Sequence, residues 1–262
     1  MAKPPPKGIK PTERHARQYD AMIRKIYLNP FIKGVESALE QIRADYFATR
    51  EAIRNIPRDP YLAGKSARVA KAYITDLEVW HRKRITQTIL RWWGIDGKHI
   101  LQKGNIRAVM LEFIEENVNL ITRLDRETRA KLLQTVEGEQ LARPGDRNAI
   151  AKAVRKDMGI AGRRVKLIAR DQTNKAVGQM NMTRQTELGI EKYEWSDSGD
   201  QRVRPLHRDN NGFTFSWEDP PITGHPGHAI NCRCTAIPQM PAKPPDEVQS
   251  PAPAKWERET NG

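Results

Sequence analysis

The residues best suited to chemistry lie close together near the C-terminal end. His207, His225, His228, Cys232 and Cys234 all fall between Tyr193 and Pro238, and these two cysteines are the only ones in the chain. Histidine nitrogen and cysteine thiolate are the donors that zinc prefers. His207, His228, Cys232 and Cys234 would supply four ligands, enough for a tetrahedral ion. Zinc is therefore the candidate cofactor. A Cys-x-Cys pair is less diagnostic than paired Cys-x-x-Cys knuckles. The alternative is that both thiols are small buried residues on one face of a strand. The i, i+2 spacing would strain a bridge between them, and two cysteines make no disulfide framework.

The same stretch offers an acid/base and phosphate-clamping set. Asp200, Arg202, Arg204, His207 and His228 have the side chains that a metal-independent nuclease would use. No spacing among them is diagnostic. The chain also has no Walker A, GxGxxG, GxSxG, HExxH or EF-hand pattern. That argues against an ATPase, a dehydrogenase, a serine hydrolase or a zincin, and the protein is expected not to be an enzyme.

Period-two patterning is what would position these side chains. Tyr193 and Trp195 share a face of one expected strand. Phe213, Phe215 and Trp217 alternate on a second, entered through the turn Asp209-Asn210-Asn211-Gly212. Ile230, Cys232, Cys234 and Ala236 alternate on a third. Upstream the period is helical. Helices are expected from Thr12 to a kink or break at Pro30, then onward to about Ile53, and from Lys65 to Trp93. Another is expected from Asn105, ending where Asp125 caps a short one that follows. A further helix runs from Asp146 to Gly159, and a last one from Ala161 to Leu188. The last helix is expected to cover the aromatic face of the sheet.

The fold class is therefore α+β: a mainly α-helical N-terminal region with a small C-terminal α+β domain containing a short antiparallel sheet. The division reads as a flexible basic arm over 1–11, a helical region over 12–145, a C-terminal domain over 146–238 and a disordered Pro-rich tail over 239–262.

Charge narrows the partners. The chain carries a formal net charge of +13 and a pI near 9.9 over 262 residues. An anionic partner follows: nucleic acid, a membrane surface or an acidic protein. Between Arg147 and Arg184 ten Lys/Arg stand against two Asp. Arg155, Lys156, Arg163, Arg164, Lys166 and Arg170 are the candidate contacts to DNA or to an acidic partner protein, the alternative being a solvated face. No apolar run approaches the ~20 residues of a membrane span, and the N-terminus lacks the apolar core of a secretory signal. A reducing, cytosolic assembly site is expected.

Trp195, Asp200, Arg202-Val203-Arg204, His207, Gly212, Pro220-Pro221, Pro226-Gly227 and Asn231-Cys232-Arg233-Cys234, followed by Pro238, resemble the C-terminal domain of the phage Mu F-like minor head proteins. The ordered match covers about a fifth of the chain, and Phe113 to Val118 is similar to the helical region preceding that domain. The resemblance implies a low-copy phage head morphogenesis protein, assembled in the host cytoplasm and housed in the head interior. It implies the portal protein as partner, with packaged DNA and a scaffold or major capsid protein as further ones, and a role in DNA packaging or ejection. The Pro-rich tail carries no appended domain, so a toxin-bearing relative is not expected.

Overall fold

The computed structural model describes residues 6–40, 46–97, 101 and 105–245. Seven α-helices and three strands follow one another among the described residues. They are α1 (Glu13–Ile23), α2 (Asn29–Glu40), α3 (Tyr46–Arg54), α4 (Leu62–Trp93), α5 (Ile106–Ala142), α6 (Arg147–Glu187), β1 (Lys192–Ser196), α7 (Pro205–Asp209), β2 (Thr214–Ser216) and β3 (Thr235–Pro238). The α+β class holds, with its sheet confined to the C-terminal part.

Three expected helix boundaries are absent, each for a local reason. Pro30 does not break the first helix; a π-helical turn, Arg24–Leu28, carries α1 into α2. Pro30 has no N–H to give the residue four back. The wider turn absorbs the mismatch, with Asn29 N–H reaching the Arg24 carbonyl. Asp125 does not cap a new helix; it sits inside α5 and receives Arg129 Nε at 3.0 Å, one turn on. Gly159 does not end a helix either, because α6 runs unbroken for 41 residues. Its start matches expectation: Asp146 Oδ1 accepts the Ala149 N–H at 2.9 Å. The helix stops before Gly189, whose φ of +68° no helix continues.

The chain packs as two compact units interleaved in sequence. One holds residues 12–74 and 111–173; the other holds 1–11, 75–110 and 174–262. Among its described residues the first holds helices and no strand. Tyr19 stacks on Tyr73 at 4.3 Å between ring centroids, and Phe113 leans on both. Tyr73 also spans to α6, its hydroxyl 2.8 Å from Thr173 Oγ1.

The second unit contains the sheet, in the order β2-β1-β3, all antiparallel. Tyr193 pairs with Phe215 and Trp195 with Ala236. As expected, Tyr193 and Trp195 turn inward together, and they form a core with Trp217, Cys232, Cys234 and Ala236. Met182 of α6 packs on that core, so the helix does cover the aromatic face. The third strand differs from its expected span. It begins only at Thr235, and Cys232 and Cys234 precede it in the loop. The turn at Gly212 forms as read, its N–H donating to the Trp195 carbonyl at 2.8 Å. A second apolar cluster joins Ile85, Ile89, Leu101, Leu188 and Ile190, with Ile9 and Met240 against it. Ile9 is also held through its carbonyl, which accepts from Asn181 Nδ2 at 2.8 Å and Thr235 Oγ1 at 3.0 Å. Past Pro238, the Pro241 carbonyl accepts Trp93 Nε1; the remaining tail from 246 on lies outside the described residues.

Candidate functional site

His207 reaches the sheet core through a short helix that the sequence pattern does not announce. Pro205 starts the five-residue helix α7, its fixed φ suiting the first turn. One turn of helix leaves Leu206 exposed and rotates His207 inward. The imidazole then meets the loop that precedes β3. His207 Nδ1 stands 3.5 Å from Cys232 Sγ and 3.5 Å from Cys234 Sγ. Trp195 lies edge-on to the ring, 5.3 Å between centroids.

The loop holding Cys232 is fixed by a close backbone crossing. Gly178 of α6 and Gly227 meet so tightly that a β-carbon on Gly178 would stand 2.9 Å from the Pro226 carbonyl oxygen. The Gly227 N–H then points to Cys232 Sγ at 3.4 Å. Donation from the Cys234 thiol lowers the Cys232 thiol, against the push of burial; backbone N–H groups of Cys234 and Gly227 and the nearby His207 help. Cys234 moves the other way, raised by donating to Cys232 and by burial.

Of the four candidate metal ligands, three converge and one does not. His207, Cys232 and Cys234 have donor atoms all within 4.8 Å of one another. His228 lies outside that group, its ring edge-on to His225 at 5.7 Å. His225 in turn accepts or donates at the Tyr193 hydroxyl, 3.0 Å away, and stacks obliquely on Trp217. Burial, then the charge of His228, lowers the His225 pKa. His225 is buried against the aromatic core, while His228 is exposed beside it; neither joins the thiol cluster.

The acid/base set is dispersed among structural tasks. Both Asp200 oxygens accept from the Arg233 guanidinium. That pairing lowers its carboxyl to about 2. Arg204 donates to the Ile230 carbonyl at 2.7 Å. His207 faces sulfur, not the carboxylate.

The candidate basic residues of α6 divide into two kinds. Arg155 forms a two-pronged pair with Glu36, and Arg164 reaches Glu127. Lys156, Arg163 and Lys166 are exposed, and Arg170 is half-buried. Among the described residues none of these four makes an ion pair. With Lys152 they repeat at three, four and seven residues, which places five cations along one stripe of α6.

Sequence reasoning missed a buried charge network. Arg184 is fully buried; it donates to Glu78 and lies 2.7 Å from His81 Nδ1. His81 Nε2 is 2.9 Å from Asn181 Oδ1. A signal existed: Arg184 falls four residues after Met180 and four before Leu188, both on the apolar stripe. Burial, then the Arg184 charge, pulls the His81 pKa down to about 3 from its ordinary 6.5. The unfolded chain therefore binds a proton in a window where the folded one does not. Stability should fall as pH drops through that window, by up to about 1.4 kcal/mol per pH unit. Urea midpoints measured from pH 7 to pH 4 would show the fall, and His81→Gln should flatten it.

Comparison with known proteins gives two matches. Residues 133–237 match the family described as Phage Mu protein F like protein. An uncharacterized protein of Haemophilus influenzae is 27% identical over 251 residues, covering 89% of this chain and 55% of its own length. The chain thus spans about half of that curated relative. No solved structure matches. No described helix is long and apolar enough to cross a membrane. The family match takes in α6, the sheet, His207 and both thiols. Over residues 133–237, this chain is similar to the phage Mu F-like family.

Proposed function

We propose that this protein is a low-copy structural component of a phage head, docked on the portal and in reach of packaged DNA. The family match over residues 133–237 carries this reading. The chemistry of the chain agrees with it. Two residues of the nuclease-like set have structural partners outside it: Asp200 pairs with Arg233, and Arg204 donates to a backbone carbonyl. A +13 chain with an unpaired cation stripe suits an acidic protein surface or phosphate instead.

The portal is the primary partner, and a scaffold or major capsid protein is a further one during assembly. The helices supply the docking surface and the small sheet domain stabilises the C-terminal end. Quantitative proteomics of purified procapsids, with and without the portal, tests this. The chain should fall to background in portal-less particles; undiminished levels there would refute the reading.

The stripe makes a separate prediction. The triple variant Lys156→Glu, Arg163→Glu and Lys166→Glu should weaken binding to duplex DNA at least about tenfold at moderate salt. The slope of log affinity against log salt should shrink by roughly 3, about 0.9 for each phosphate that is no longer neutralised. Reversing Arg155 and Arg164, which serve Glu36 and Glu127, should change that slope less and stability more.

A further inference from the structure

We propose that His207, Cys232 and Cys234 bind a zinc ion, with water as the fourth ligand. The inference does not depend on the phage head reading. Zinc with bonds of about 2.3 Å to sulfur and about 2.05 Å to nitrogen sets each nitrogen–sulfur edge of its tetrahedron at about 3.5 Å. His207 Nδ1 stands 3.5 Å from one sulfur and 3.5 Å from the other. A hydrogen bond between one thiol and the ring would need only one such distance. Two equal edges meeting at one nitrogen, each of the length a metal requires, describe three corners of a coordination shell.

The surroundings are built for two thiolates. Gly227 N–H is directed at Cys232 Sγ. The buried indole Nε1 of Trp195 has no oxygen or nitrogen acceptor, and the Cys234 sulfur is the group it faces. The Arg233 guanidinium, anchored by Asp200, adds positive charge near both sulfurs. Groups of this kind hold ligands in place and stabilise sulfur-bound charge. Zinc binding would release to solvent any proton that the pair still carries, and the dication would balance the two thiolate charges. Among the described residues no fourth His, Cys, Asp or Glu joins the group, so the fourth corner falls to water.

The site also suits the fold. His207 and the cysteines are 25 and 27 residues apart, and they tie α7 to the loop before a four-residue strand. A sheet of three short strands gains stability from such a cross-link.

The test uses the full chain, purified without a histidine tag from zinc-supplemented medium. Plasma mass spectrometry should find about one zinc per chain. Cys232→Ser and Cys234→Ser should each lower that to near zero, while His228→Ala should leave it unchanged. Cobalt loading of the unaltered chain should give a thiolate-to-cobalt charge-transfer band and the intense visible bands of a four-coordinate ion. The cobalt spectrum decides even if a serine variant fails to fold. A metal-free chain with no cobalt–thiolate band would overturn the proposal. So would zinc retained in both serine variants, or lost in His228→Ala.

Discussion

Replacing Glu78 with glutamine should cost about 3–5 kcal/mol, because it strands a buried guanidinium. Arg184 is fully buried, and Glu78 carries the charge that compensates it. Glu78 is also 3.6 Å from Arg82, so its loss removes the carboxylate that both guanidinium groups share, and Glu187 is left as the acidic group acting on Arg184. Neighbouring His81 offers no relief, since its ring is held neutral by burial. The midpoint of thermal unfolding should drop on the order of 10 °C. The double variant Glu78→Leu with Arg184→Met removes both charges and should recover more than half of the loss. Calorimetry on the three proteins checks this. A loss below about 0.5 kcal/mol in Glu78→Gln would show that Arg184 does not depend on that carboxylate.

The second large effect is expected at Gly227. Its φ of +91° is one that an L side chain rarely adopts, and a β-carbon there would stand 3.1 Å from the Asn174 carbonyl oxygen. That oxygen belongs to the backbone of α6, so it cannot swing aside as a side chain could. Gly227→Ala should therefore cost about 2–4 kcal/mol. It should also pull the N–H away from Cys232 Sγ, raising that thiol's pKa. Gly138 supplies the opposite sign. It lies inside α5 with nothing near its missing β-carbon, so Gly138→Ala should stabilise by about 0.5–1 kcal/mol through helix propensity alone. Denaturation of both variants, with alkylation rates of Cys232 against pH for Gly227→Ala, separates strain from propensity.

These two sites mark what the sequence could and could not reveal. Period-two alternation placed Tyr193, Trp195 and Phe215 on the sheet because each pattern is local. It overextended the third strand, since a loop residue can alternate with its neighbours without pairing. Asp125 and Gly159 are boundary signals by propensity alone, and packing of a continuous stripe overrode both. The α+β class and the helix covering the sheet were legible for the same reason: both follow from apolar periodicity.

Among the site residues, the convergence of His207 with Cys232 and Cys234 rests on a five-residue helix too short to leave a periodic trace. His228 and His207 look alike in one dimension, and only the fold leaves one exposed and buries the other against sulfur. The Glu78–Arg184 pair, 106 residues apart, had no local signature. Arg163, Lys166 and Arg170 could be read as a face from spacing. That Arg155 and Arg164 are tied to Glu36 and Glu127 could not, because those partners come from distant helices.

The interleaving of the two units sets an order on biosynthesis. Every residue of the helical unit has been translated once Thr173 is joined. The other unit takes residues from both sides of it, so Ile9 must wait while the 226 residues up to Thr235 are added. At roughly 5–20 residues added per second, that delay is several seconds or more. A ribosome stalled soon after Thr173 would carry one finished half, while Ile9 still lacked Thr235, the hydroxyl that holds it in the mature molecule.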